Sequence, residues 1–282
     1  MARRVTVPEI IAAKGKRKLT EVTAYDHPTA LWVDESGIDM ILVGDSLAMV
    51  VLGHEDTLSI TMDEMLHHTR AVARTAQRAL VIGDLPFLSY QVSVEQAVLN
   101  AGRFVKEASA NAVKLEGGRR VAAQIKAIVE AQIPVQGHLG LTPQSSAAFG
   151  GFKIQGKTAE AARELIEDAR ALVAAGCFSI VLEGIPAPIA AMITEAVPVP
   201  TIGIGAGPDC DGQVLVLHDL LGLFERFTPR FVKQYARLSE PVREALAVFR
   251  EEVEKGVFPA PEHSFAMDGE EVAKLKGGNR KA

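Results

Sequence analysis

Cysteine is scarce in this chain. Cys177 and Cys210 are the only two; they stand far apart and form no CxxC pair. They provide no disulfide framework. Long apolar runs are also missing, since no stretch approaches the ~18 residues of a membrane-spanning helix. The amino terminus shows no signal-peptide pattern. The expectation is a cytoplasmic protein with no membrane partner. Excess positive charge is absent too: the formal net charge is -5, which argues against nucleic acid as a partner. The basic clusters Lys14-Gly-Lys16-Arg17-Lys18 and Arg119-Arg120 are short and are expected to be solvated surface. No Pro/Ser/Gly-rich linker divides the chain, so one domain is expected over residues 1–265, followed by a polar tail at 266–282. No GxSxG and no Cys/His nucleophile signature appears.

What is present is a core. Of the 282 residues, 48% are hydrophobic and 23% charged, as in a soluble globular protein. Short apolar runs alternate with helical patterns. After a leading helix at 5–15, strands are expected at 19–24, 40–43, 80–83, 112–115, 133–136, 178–182 and 200–204. An eighth strand at 213–217 could equally be the start of a helix. Helices are expected between them, two opened by the capping boxes Thr61-Met-Asp-Glu64 and Ser93-Val-Glu-Gln96, and one capped by Thr158. The stretch 229–257 reads as helical and amphipathic, and 270–282 as a polar end that frays. Seven or eight strand–helix units favour an α/β fold closed as a (βα)8 TIM barrel, roughly 250 residues with extensions, over an open doubly wound sheet.

Chemistry-bearing residues recur at the strand ends. Asp45 and Ser46 follow the second strand, Asp84 the third, Glu116 the fourth, His138 the fifth and Glu183 the sixth. Lys114 lies two residues before Glu116, on the same strand face. In a barrel these ends converge on one pocket. Four acids so placed repel one another unless a cation or a proton neutralises them. A hard divalent cation such as Mg²⁺ answers that need; the alternative is that each acid caps a following helix. Other features carry less. Gly203-Ile-Gly-Ala-Gly207 lacks the dinucleotide pattern. Glu64-x-x-His67 is a single copy where a di-iron site needs two, and His67 and His68 read as packing or surface residues. His218-Asp219 reads as a helix start.

Thr23-Ala-Tyr-Asp26, Val43-Gly-Asp-Ser46, Gly53-His54, Gly83-Asp-Leu-Pro86, Val113-Lys-Leu-Glu-Gly117, Gly137-His-Leu-Gly-Leu-Thr-Pro-Gln144 and Ile202-Gly-Ile-Gly-Ala-Gly207 together resemble the ketopantoate hydroxymethyltransferase family. The resemblance runs from about residue 5 to about residue 265. It implies a barrel related to the phosphoenolpyruvate/pyruvate type and a homo-oligomer, commonly a decamer. It implies transfer of a one-carbon unit from 5,10-methylenetetrahydrofolate to 3-methyl-2-oxobutanoate, giving 2-dehydropantoate for pantothenate biosynthesis. Carried over by position, Asp45, Asp84 and Glu116 fall on the Mg²⁺ site. Asp45, Ser46, Asp84 and Lys114 fall on the oxo-acid site, with His138 a further pocket residue. Glu183 falls on the general base. A bound Mg²⁺ would act as a Lewis acid on the forming enolate, and the glycine-rich loop 150–156 is a possible lid. A metal-dependent 2-oxo acid aldolase or lyase on the same barrel, working without folate, remains the competing reading. Folate dependence of turnover separates the two. A barrel kept only as a scaffold would have lost some of these acids, and all are present.

Overall fold

The expected strand–helix alternation closes into a ring. The computed structural model describes residues 3–146, 150–151 and 153–277. The chain divides into two compact units, Met1–Tyr235 and Ala236–Ala282. In the first, α1 (Val7–Ala12) leads into β1 (Leu19–Thr23), α2 (His27–Glu35), β2 (Met40–Val43), α3 (Leu47–Val50) and α4 (Met62–Thr75). Next come β3 (Leu80–Asp84), α5 (Val94–Ala108), β4 (Ala112–Glu116), α6 (Ala122–Glu130) and β5 (Val135–Gly140). Then follow α7 (Ala159–Ala174), β6 (Ser179–Glu183), α8 (Ala187–Ala196), β7 (Thr201–Ile204), β8 (Gly212–Leu215) and α9 (Leu217–Leu220). The strands run in sequence order in a closed barrel. All are parallel, and β8 pairs with β1 through Leu19↔Gly212 to Val22↔Leu215. This is a (βα)8 TIM barrel. The second unit holds α10 (Ser239–Glu254) and α11 (Gly269–Gly277).

Period-two alternation builds two apolar layers from the same strands. Met40 and Leu42 point into the barrel with Leu80, Ile82, Val181, Ile202 and Val214, and Ile10 of α1 packs in the same cluster. Ile41 and Val43 point outward and pack with Val81, Val113, Leu115, Ile180 and helix residues such as Met65, Phe104 and Ile125. A four-residue run buried on both faces thus serves two cores.

Some boundaries differ from the sequence reading. The fifth strand is Val135–Gly140 rather than 133–136, because Gly137 to Gly140 pair with β4 and β6. Glycine weakens an isolated strand, but here it admits close packing: a Cβ on Gly137 would lie 2.7 Å from Leu172 Cδ1 of α7. The ambiguity at 213–217 resolves both ways, into β8 and then α9. Helix α10 begins only at Ser239, with Pro241 in its first turn, and residues 229–238 are not helical. Residues 269–277 are helical, with Glu270 and Glu271 at the start and Lys274 and Lys276 at the end, which suits the helix dipole. The remaining tail, 278–282, lies outside the described residues, as does residue 152 of the expected lid.

The capping box at Thr61 is formed in both directions. At Ser93 only half of one exists: the hydroxyl accepts from Gln96 N–H, while Gln96 Oε1 is buried without a partner. The cluster at 14–18 is not free surface. Lys14 Nζ donates to Asp211 Oδ2 and to the Thr194 carbonyl, each at 2.7 Å. Arg17 makes a two-pronged pair with Asp39, 2.9 Å on each arm, and Lys18 reaches the carbonyls of Pro208 and Cys210. These contacts tie the segment before β1 to β2 and to the turn before β8, where the barrel closes. Arg119 pairs with Asp168 at 2.7 Å. No helix among the described residues is long and apolar enough to cross a membrane.

Candidate active site

Strand register decides which side chains meet at the carboxyl mouth. Residues paired across a parallel ladder face the same way, as do residues two apart on one strand. Asp84 pairs with Lys114, Glu116 with His138 and His138 with Val181, two residues before Glu183. Asp45 and Ser46 sit between the end of β2 and the start of α3. All seven expected site residues, Asp45, Ser46, Asp84, Lys114, Glu116, His138 and Glu183, line one cavity of about 1100 Å³.

Their contacts form a connected set. Lys114 Nζ donates to both oxygens of Asp84 at 2.7 Å. Asp84 Oδ2 also accepts the Asp45 backbone N–H at 3.2 Å. His138 lies between two acids, Nδ1 3.3 Å from Glu116 Oε1 and Nε2 3.2 Å from Glu183 Oε2. Neither contact is aligned as a hydrogen bond, so both ring nitrogens and Glu116 Oε1 stand as unpaired buried atoms held by charge. Ser46 Oγ shares a 2.8 Å hydrogen bond with the Tyr25 hydroxyl.

Comparison with known proteins now decides the family. The family model for ketopantoate hydroxymethyltransferase matches residues 4–261. The chain belongs to the ketopantoate hydroxymethyltransferase family. A 3-methyl-2-oxobutanoate hydroxymethyltransferase of Syntrophobacter fumaroxidans is 76% identical over 277 residues, 98% of each chain. Another of that name, from Clostridium beijerinckii, is 60% identical over 264 residues, 94% of this chain and 96% of the relative. The barrel itself is similar to that of a phosphonopyruvate hydrolase solved with oxalate and Mg²⁺ (TM-score 0.59, 15% identity, 98% of this chain and 96% of that one). It is also similar to a 2,3-dimethylmalate lyase of the PEP mutase/isocitrate lyase superfamily (TM-score 0.56, 15% identity, 97% and 95%). Those two likenesses bear on the fold. The family membership makes this chain a hydroxymethyl-transferring enzyme.

The transferase concentrates charge where water is scarce. Burial pushes the Asp45 carboxyl well above its ordinary range, and repulsion from Asp84 and Glu116 adds to this. Burial would lower the His138 pKa, but Glu116 and Glu183 outweigh it and raise it to about 9. Glu116 is lowered in turn, because His138 and Lys114 overcome its burial. With His138 and Lys114 cationic, the four acids would exceed the cations by two charges if all were ionised, and the raised Asp45 carboxyl reflects that repulsion. A divalent cation would cancel that excess, competing with His138 Nδ1, which lies 3.3 Å from Glu116 Oε1. No three His, Cys, Asp or Glu groups among the described residues stand gathered as a ready-made cage.

Two other residues of the transferase's site, Tyr90 and the motif residue Gln144, were given no role by the sequence. Gln144 binds three elements: Nε2 donates to Asp45 Oδ2 and to the Leu85 carbonyl, each at 3.0 Å, and its N–H donates to Glu116 Oε2 at 3.1 Å. The Tyr90 hydroxyl lies 2.8 Å from Gln144 Oε1 and accepts the Glu116 N–H at 3.2 Å. Tyr90 comes from a loop and Gln144 from a single 3-10 turn, both too short or irregular for periodicity to tell which side chain turns inward. Of the lesser features, His218 and Asp219 do open a helix, and His68 packs, Nδ1 2.7 Å from the Tyr25 carbonyl.

Proposed function

We propose that this enzyme transfers a one-carbon unit from 5,10-methylenetetrahydrofolate to 3-methyl-2-oxobutanoate, forming 2-dehydropantoate and tetrahydrofolate. The observation that carries the reading is His138 held between Glu116 and Glu183 beside the Lys114–Asp84 pair, in a cavity far larger than a small oxo acid fills.

Glu183, at the edge of the acid cluster and 16% exposed, takes the proton from C3 of the oxo acid, leaving an enolate. The His138 ring, its Nε2 3.2 Å from Glu183 Oε2, aims it. Lys114 offsets the charge of Asp84 and, with Ser46, receives the substrate carboxylate. Asp45, Asp84 and Glu116 would hold a Mg²⁺ whose chemistry, when bound, is Lewis-acid polarisation of the keto oxygen. The hydroxyl oxygen of the product comes from water. Water adds to the methylene carbon of the donor, both of that carbon's bonds to nitrogen break with water's two hydrogens going to the two nitrogens, and the freed one-carbon carbonyl is attacked by C3. The enolate electron pair becomes the new carbon–carbon bond, and the new alkoxide takes a proton. Self-association, as a decamer, also follows from the family resemblance.

The test is hydrogen–deuterium exchange at C3 of 3-methyl-2-oxobutanoate, followed by NMR with Mg²⁺ or EDTA. It is repeated with Glu183→Gln and then with tetrahydrofolate and formaldehyde added. The expected result is metal-dependent exchange that is lost in the variant, with 2-dehydropantoate formed only when the donor is present. Exchange without folate-dependent product would overturn the donor; no exchange at all would overturn the mechanism.

A further inference from the structure

One wall of the cavity is not used by the acid cluster. It is built where the barrel closes, from the ends of β1 and β8 and the loop after α3. Asp219 stands there in α9, which is tied to β1 by the Leu217 N–H donating to Thr23 Oγ1 at 2.9 Å. Asp219 lines the cavity and is 9% exposed. No hydrogen bond or ion pair among the described residues reaches its carboxylate. Burial, with nothing opposing it, pushes this carboxyl up to about 6. Thr57 lines the same cavity with its Oγ1 buried and unpartnered. The two segments are joined, since Arg226 donates to the carbonyls of His54 and Gly53 at 2.7 and 2.6 Å. Phe224 and Phe227 complete the wall, rings edge to face at 5.5 Å.

A carboxylate taken from water without donors costs free energy, and native proteins satisfy such groups. Asp219 keeps some exposure and lines the cavity, where a ligand's donors can reach its carboxylate. Two neighbouring N–H groups on a flat ring would meet both carboxylate oxygens, and aromatic walls pack well against such a ring. The donor assigned above carries this pattern: its pteridine has an exocyclic amino group beside a ring N–H. Resting on that reading, we propose that Asp219 is the specificity residue for the one-carbon donor. Its carboxylate accepts the amino and ring N–H groups of the pteridine, and Phe224 and Phe227 hold the ring plane.

The experiment measures tetrahydrofolate binding by titration calorimetry to wild type, Asp219→Asn and Asp219→Ala, with C3 exchange of the oxo acid run alongside. Both variants should bind tetrahydrofolate about 10- to 100-fold more weakly, while exchange stays within about twofold of wild type. Wild type should disfavour 2-desamino-tetrahydrofolate by a similar factor, and Asp219→Ala should not distinguish the two ligands. Equal binding of the two ligands by wild type overturns the proposal even if the variants fail to fold. So does tetrahydrofolate affinity unchanged in the variants, or exchange that falls in step with it. Wild type that exchanges C3 but binds no tetrahydrofolate overturns the donor reading itself, and Asp219's role with it.

Discussion

Lys114 Nζ lies 2.7 Å from each oxygen of the Asp84 carboxylate, deep in the barrel mouth. Asp84, and after it Glu116 and Asp45, overcome the cost of burial and hold Lys114 in its charged form. Burial and Glu116 push Asp84 up while Lys114 pulls it down. An ammonium touching both oxygens keeps the pair ionised. Lys114→Met leaves a buried acid uncompensated. It should cost about 3 kcal/mol in urea unfolding at pH 8 and remove turnover. Lys114→Met/Asp84→Asn should recover most of that stability and none of the turnover. A double variant as unstable as the single one would contradict the pairing.

Tyr90→Phe tests the support beneath the acids. It removes the hydroxyl that meets Gln144 Oε1 and the Glu116 N–H, leaving buried polar groups unpaired at about 1–3 kcal/mol. Gln144 positions Asp45, so turnover should fall about tenfold. Steady-state kinetics beside thermal unfolding would show whether stability drops without activity, the outcome that separates packing from positioning.

Gly140 and Gly102 make opposite predictions for the same change. Gly140 has φ +99°, and a Cβ there would stand 2.2 Å from the carbonyl oxygen of Glu183. Gly140→Ala should destabilise by more than about 2 kcal/mol and displace Glu183, with loss of C3 exchange. Gly102 lies within α5 with open space around it. Gly102→Ala should stabilise by about 0.5–1 kcal/mol and leave exchange unchanged. Comparable unfolding midpoints for the two variants would defeat the argument.

Glu21 makes stability depend on pH. It is buried in the barrel beneath the mouth, where Oε2 accepts from Gln136 Nε2 at 3.1 Å and Oε1 has no partner. Burial raises its pKa from 4.5 to about 7. Gln136 lowers it, as do the more distant Lys114 and His138, while Asp84 raises it. The folded state therefore binds the proton more tightly than the unfolded chain. Its contribution is full below about pH 4.5 and is lost as pH rises through about 7, worth about 3 kcal/mol in all. Glu21→Gln should gain on wild type across that window. Urea unfolding at pH 5 and pH 8 would measure it, and parallel curves for the two proteins would exclude the assignment.

The sequence by itself determined the alternation that makes a barrel and the strand ends that carry its chemistry. Met40 to Val43 is too short and too uniformly apolar for a surface helix, and Asp45 follows it directly. The same logic repeats at Asp84, Glu116 and Glu183, so these positions were legible without any contact known. Strand five was misjudged because glycine's low strand propensity hid a packing demand that only α7 imposes. Tertiary structure alone decided what the acids touch. Barrel register sets Lys114 against Asp84 and His138 between Glu116 and Glu183, while a loop brings in Tyr90, a single 3-10 turn Gln144 and the short helix α9 Asp219. Loop side chains have no period to betray their direction, and burial, which moves the acids' pKa values, exists only once the ring has closed.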